Sequence, residues 1–189
     1  THDFWSSPYA GLRTRQAYRH VTSDDPLQLT FEGNEIAAEA EVFAGQHLWS
    51  RIRIEQRANH RFGPMGAGES VTLFRGWSIN TVNAFLTGGS WPIAGVRPLY
   101  GYRYAELRLD RGAGINGDLQ YALRDSLSLA AHGSYLKSRE LVARGIAADL
   151  TASWRGIGVR VGIARPFQRG RSENGVVIYG SLLASAFVR

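Results

Sequence analysis

From Leu127 onward, apolar and polar residues alternate with a period of two, and this pattern constrains the fold more than any other feature. Leu127, Leu129, Ala131 and Tyr135 alternate with Ser126, Ser128, His132 and Ser134. Ile146, Ala148, Leu150, Ala152 and Trp154 alternate with Asp149, Thr151, Ser153 and Arg155. Ile157, Val159, Val161 and Ile163 follow the same rule, and Val176, Ile178, Leu182, Ala184, Ala186 and Val188 continue it to the end. Successive side chains of a strand point to opposite faces, whereas a helix repeats about every 3.6 residues. The region therefore predicts antiparallel strands. Short links at Arg124-Asp125 and Arg155-Gly156 alternate with longer charged ones over 137–144 and 168–175.

Upstream the pattern is less uniform. A strand is expected in the second half of residues 1–21, then a turn at Ser23-Asp24-Asp25-Pro26. Leu27, Leu29 and Phe31 alternate with polar residues up to a break at Gly33-Asn34. Residues 35–44 suit a helix by their Ala and Glu content, but cross-strand chemistry favours a hairpin about Gly45-Gln46-His47. That hairpin sets Glu41 opposite Arg51, Glu39 opposite Arg53, Glu35 opposite Arg57 and Phe43 opposite Trp49. Such pairs contribute roughly 0.2–1 kcal/mol each. A loop is expected over 63–68, a strand over 71–86 with a bulge near Asn80, and a stop at residues 88–92. From Ala105 the alternation predicts one long strand, or two broken around Gly112-Ala113-Gly114.

Alternation alone does not say which face meets water. The expected strands exceed the ~5–6 residues typical of globular strands. Aromatics (Trp49, Tyr121, Tyr135, Trp154, Tyr179) fall near their ends, as in the interface girdles of membrane barrels. No apolar run approaches the ~20 residues of a membrane helix, but a spanning strand needs only ~9–11. The formal net charge is +6, and Lys137 is the only lysine. Arginines recur at strand spacing rather than in one cluster, which suits a charged interior wall better than a nucleic-acid surface. Cysteine is absent, excluding disulfides and thiolate chemistry. No secretory signal opens the chain, so Thr1 is expected to follow a cleavage or to lie within a longer polypeptide.

One stretch stands apart: Tyr100-Gly101-Tyr102-Arg103, with Glu106-Leu107 and Asp110-Arg111-Gly112 behind it. With Leu119-Gln120-Tyr121-Ala122-Leu123 and Ile163-Ala164-Arg165-Pro166-Phe167, it resembles the C-terminal part of Omp85-superfamily barrels, over about residues 85–189. The likeness is particularly to two-partner secretion transporters of the haemolysin-activator type. The resemblance implies an inward-folding loop that docks on a following strand through an arginine and an acidic partner. Here Tyr100 stands at the arginine position and Ser134 at the acidic one. Losing one half of a buried ion pair costs about 3–5 kcal/mol, and losing both removes that penalty. A Tyr100–Ser134 contact is therefore expected, with His132 and Ser134 on the docking strand. The terminal aromatic such barrels carry is replaced by Arg189, with Phe187 two residues before it.

The reading is an all-β, antiparallel up-and-down outer-membrane β-barrel with about 8–10 strands in this chain. Residues 1–189 form one barrel domain or a portion of a larger barrel. Glu35, Glu39, Glu41, Arg51, Arg53 and Arg57 are expected to form a charge ladder in the lumen. The implied partners are membrane lipid or lipopolysaccharide of the bacterial outer membrane, a secreted polypeptide or anionic solute, and an oligomer or further chain completing the barrel. Nucleic acid is not among them. No cofactor is expected, and His2, His20, His47 and His60 lack metal-ligand spacing. Two alternatives stand beside transport. One is a barrel lipid A 3-O-deacylase using His132 and Ser134 with Glu140. The other is a soluble all-β binding domain.

Overall fold

Alternating residues build long strands, and the strands pair with their neighbours in chain order. The computed structural model describes residues 10–25, 30–44, 47–79, 84–89, 96–104, 106–154, 157–168 and 175–184. The expected turn at Pro26, the hairpin apex at Gly45-Gln46, the bulge at Asn80, and Phe187 and Arg189 lie outside them. The described elements are all strands. They are β1 (Ala10–Asp25), β2 (Thr30–Ala44), β3 (Trp49–Phe62), β4 (Met65–Trp77), β5 (Phe85–Thr87) and β6 (Val96–Arg97). Then come β7 (Leu107–Leu109), β8 (Arg111–Arg124), β9 (Leu127–Ser138), β10 (Val142–Trp154), β11 (Ile157–Gln168) and β12 (Val177–Ala184). Nine of these form one antiparallel sheet in the order β1-β2-β3-β4-β8-β9-β10-β11-β12, and β6-β5-β7 form a second, small one.

The β2–β3 hairpin has the register its charges predict: Glu41 faces Arg51, Glu39 faces Arg53, Glu35 faces Arg57, and Phe43 faces Trp49. The helix option for residues 35–44 gives way to strand. Several boundaries differ from expectation. Ser23 to Asp25 belong to β1, and Gly33-Asn34 belong to β2. The irregularity there is a register shift between Val21 and Ser23, with Gly33 at φ 135°. The loop over 63–68 shrinks to Gly63-Pro64, since Met65 already starts β4. The link over 137–144 shrinks to residues 139–141.

The largest correction concerns residues 71–86, which are not one strand. The chain leaves the main sheet after Trp77, with Ser78 at φ 55°, and returns at Arg111. In between it builds the small sheet. β4 and β8 pair directly across this excursion, from Met65↔Tyr121 to Arg75↔Arg111. The break before β8 falls at Asp110 rather than at Gly112–Gly114, where strand pairing is continuous.

The faces of the main sheet are inverted relative to a soluble sandwich. Along β10, Ala143, Gly145, Ala147, Asp149 and Thr151 are buried, while Val142, Ile146, Ala148, Leu150 and Trp154 are exposed. Asp149 is 3% exposed and Ile146 is 54%. β11 repeats this with Gly158, Gly162 and Ala164 buried and Val159, Val161 and Ile163 exposed. The excursion lies on the inward face. Its Leu99, Tyr102 and Leu109 pack with Phe74 of β4, Leu136 of β9 and Ala143 of β10. At one side its Phe85 meets Arg51 of β3, and at the other Gly101 lies against Arg165 and Pro166 of β11. The sheet thus curls around the excursion.

Candidate functional site: an inward loop on a charged wall

Residues 98–104 form a tight loop anchored on the small sheet. Leu99 N donates to Gly89 O at 3.0 Å, Gly89 N to Tyr102 O at 3.0 Å, and Tyr102 N to Leu99 O at 3.3 Å. Gly101 has φ 82°, a conformation that glycine adopts without steric cost. A Cβ there would also overlap the Arg165–Pro166 backbone. The loop's tip therefore presses main chain against main chain.

The contact with the wall centres on Tyr100. Its backbone N–H donates to Ser134 Oγ at 3.1 Å, and Ser134 Oγ lies 3.3 Å from Gly145 O, to which it donates. The close approach needs glycine on β10, because a Cβ at Gly145 would overlap the Tyr100 carbonyl oxygen. The Tyr100 ring stacks on His132, with centroids 4.9 Å apart, and its hydroxyl donates to Asp118 Oδ1 at 3.1 Å. Burial first, and then the Asp118 carboxylate, push the Tyr100 hydroxyl above the ordinary phenol range, so it remains a donor.

Beneath Tyr100 lies a network spanning five strands. His132 Nδ1 is 2.5 Å from Asp118 Oδ1, and its Nε2 is 2.8 Å from Asp149 Oδ2. Carboxylate oxygens only accept, so both contacts together require an imidazolium. Tyr179 of β12 donates to Asp149 Oδ2 at 2.9 Å, and Arg160 of β11 lies 3.6 Å from Asp149 Oδ1. Arg160 Nε also donates to Thr151 Oγ1 at 3.2 Å. Asp118, Asp149 and Arg160 were not singled out as site residues from sequence; their available signal was a charged residue on the small-residue face of its strand. Tyr179 was expected among the girdle aromatics, and its hydroxyl instead turns to Asp149.

The loop motif divides. Tyr100, Gly101 and Tyr102 are buried, whereas Arg103 is exposed and its N–H donates to Glu106 Oε2 at 2.6 Å. Asp110 sits at the return to the main sheet, where its carbonyl accepts from Gly76 N at 2.7 Å. Gly112 lies within β8 against the Phe74 ring. None of these three touches the docking strand's His132 or Ser134 in the contacts described.

The charge ladder occupies the other side of the inward face. Glu41 pairs with Arg51 at 2.5 Å and with Arg13 at 3.1 Å. Glu39 pairs with Arg53 at 2.8 Å and also with Arg13. Glu41 is 3% exposed, so these carboxylates are buried beneath the guanidinium groups of β1 and β3. One expected pair is rearranged. Arg57 donates to Glu55 at 2.7 Å, and Glu35 instead lies 3.8 Å from both Arg15 and Arg19.

This arrangement is suited to holding a loop and lining a polar surface. It does not form a nucleophile–base pair: both His132 nitrogens face carboxylates, Ser134 is engaged by Tyr100 and Gly145, and Glu140 is exposed in the β9–β10 turn. Among the described residues no cluster suits a metal ion. No family model matches the chain, and no characterised protein matches its sequence.

Proposed function

We propose that this chain forms the wall of an outer-membrane-type β-barrel for transport or secretion, with residues 98–104 as a latch folded into its interior. The inverted burial of the main sheet carries this reading. Leu119, Leu129, Ile146, Leu150, Val161, Ile163 and Ile178 are all exposed on one face, while Glu41, Asn116, Ser134, Asp149 and Thr151 are buried on the other. Soluble monomers rarely expose a contiguous apolar patch beyond a few hundred Å². Covering each such Leu or Ile with hydrocarbon gains about 1.5–3 kcal/mol. Strands β1 to β4 and β8 to β11 run 12 to 16 residues, enough to cross a bilayer when tilted. The resemblance to two-partner secretion transporters supports the latch role.

The barrel closes through further strands. In a nine-strand antiparallel meander the edge strands β1 and β12 run in the same direction. Antiparallel closure therefore takes an odd number of additional strands. The interior carries arginines at β1, β3 and β11 and suits an anionic solute or an extended polypeptide, with the latch regulating passage.

Two measurements test this. The protein should require detergent to stay monodisperse, and it should conduct ions in a planar bilayer. A monodisperse protein in plain buffer, or an electrically silent one after verified insertion, contradicts the reading.

A further inference from the structure

The outward face is not uniformly apolar. Near the end of the sheet from which the excursion departs, five cations stand on five neighbouring strands. They share the outward side with Leu73, Ile115, Leu129, Ile146 and Ile163, each an even number of residues away along its strand. Arg75 of β4 is paired with Arg111 of β8. Lys137 of β9 is opposite Ala113 of β8. Arg144 of β10 is opposite both Tyr135 and Phe167, and Arg165 of β11 is opposite Ile146. Arg75, Lys137, Arg144 and Arg165 are exposed.

Three of these arginines lie over aromatic rings at the same level. Arg75 is 5.1 Å from the Trp77 centroid, Arg144 is 5.6 Å from Tyr135, and Arg165 is 5.4 Å from Phe167. A guanidinium resting on a ring is held with its N–H edges outward, the geometry that meets phosphate oxygens. The acidic residues nearby are Asp110, 3.6 Å from Arg111, and the exposed Glu140 in the β9–β10 turn. The opposite rim differs. Its outward residues include Phe62, Met65, Glu69, Tyr121, Leu123 and Trp154, with Arg124 at the end of β8.

We propose that this belt binds the phosphate-bearing headgroups of anionic lipid in the leaflet at the excursion's end of the wall. The proposal rests on the membrane reading above, and it fixes the orientation of the chain: the excursion's end faces the more anionic leaflet. Juxtamembrane cations each favour an anionic surface, and three together give a preference on the order of 10²-fold.

The test is native mass spectrometry of the full chain in neutral detergent, titrated with phosphatidylglycerol or phosphatidylcholine. Phosphatidylglycerol should be retained on the order of 10²-fold more tightly. R75Q/R144Q/R165Q should lose that preference, and R124Q should keep it. If the triple variant does not fold, high salt does the same work on the unaltered protein, since the Debye length falls to about 3 Å at 1 M. Equal retention of both lipids, an equal loss in R124Q, or competition by inorganic phosphate overturns the proposal. Failure of the membrane reading would look different: the protein would be monodisperse without detergent and retain neither lipid.

Discussion

Gly145→Ala is the sharpest single perturbation of the docked loop. The added Cβ would overlap the Tyr100 carbonyl oxygen, and backbone on both sides limits how far either partner can retreat. Docking rests on the Tyr100–Ser134 hydrogen bond, the Tyr100–Asp118 bond to a carboxylate, and burial of Leu99 and Tyr102. Together these contribute about 5–10 kcal/mol. Ordering the backbone of residues 98–104 costs about 1–2 kcal/mol per residue, a total of the same size as that gain, so the loop is held by a small margin. Overpacking a tight contact costs typically ~1–3 kcal/mol. The two are comparable, so one methyl group should release the loop. Gly133→Ala is the control, because a Cβ at Gly133 meets nothing within 4 Å. Hydrogen exchange of peptides spanning residues 98–104 should accelerate by a factor of about 10–10² in Gly145→Ala, the equivalent of ~1.4–2.8 kcal/mol. It should not change in Gly133→Ala. Unchanged exchange in Gly145→Ala would refute the docking argument, and so would equal acceleration throughout β9–β11.

Further expectations follow from the same geometry. Ser134→Ala leaves the buried Tyr100 N–H without its acceptor at a cost of about 1–3 kcal/mol, so chymotrypsin should cut at Tyr100 or Tyr102 sooner than in the unaltered protein. His132→Ala removes the cation between Asp118 and Asp149 and should destabilise the sheet by about 3–5 kcal/mol; a thermal midpoint in detergent that does not fall would show that the network contributes little. Replacing all three with His132→Leu, Asp118→Asn and Asp149→Asn should recover only part of that loss, since Arg160 keeps its bond to Thr151 but loses the Asp149 carboxylate. Glu39→Ala withdraws the carboxylate shared by Arg13 and Arg53 and should lower the same midpoint. If the ladder lines a conducting path, it should also shift ion selectivity toward anions, read as a reversal potential in a salt gradient.

The β2–β3 register was legible because three Glu–Arg pairs and one aromatic pair agree on a single alignment. The docking strand was legible for a different reason: in the expected resemblance Tyr100 and Ser134 stand at two complementary positions, which points to one contact. The excursion after Trp77 was not legible. Its residues alternate like those before them, and alternation does not record that a strand has changed sheets. Asp118 and Asp149 escaped notice because they meet only through His132 on the strand between them, a relation set by two registers at once. The pairing of Arg57 was misjudged because the facing Glu35 and the same-strand Glu55 compete for it, and a register names only the first. The direction of the alternation, polar in and apolar out, also needed the burial of Asp149 beside the exposure of Leu150.

That inversion is the centre of the account, and depth-dependent quenching tests it most directly. The chain has no cysteine, so single cysteines along β10 can each carry a small fluorophore. In vesicles of lipid brominated on the acyl chain, labels at Ile146, Ala148 and Leu150 should be strongly quenched, and labels at Ala147 and Thr151 should not. Quenching that ignores this alternation, or is absent at all five positions, would contradict the account.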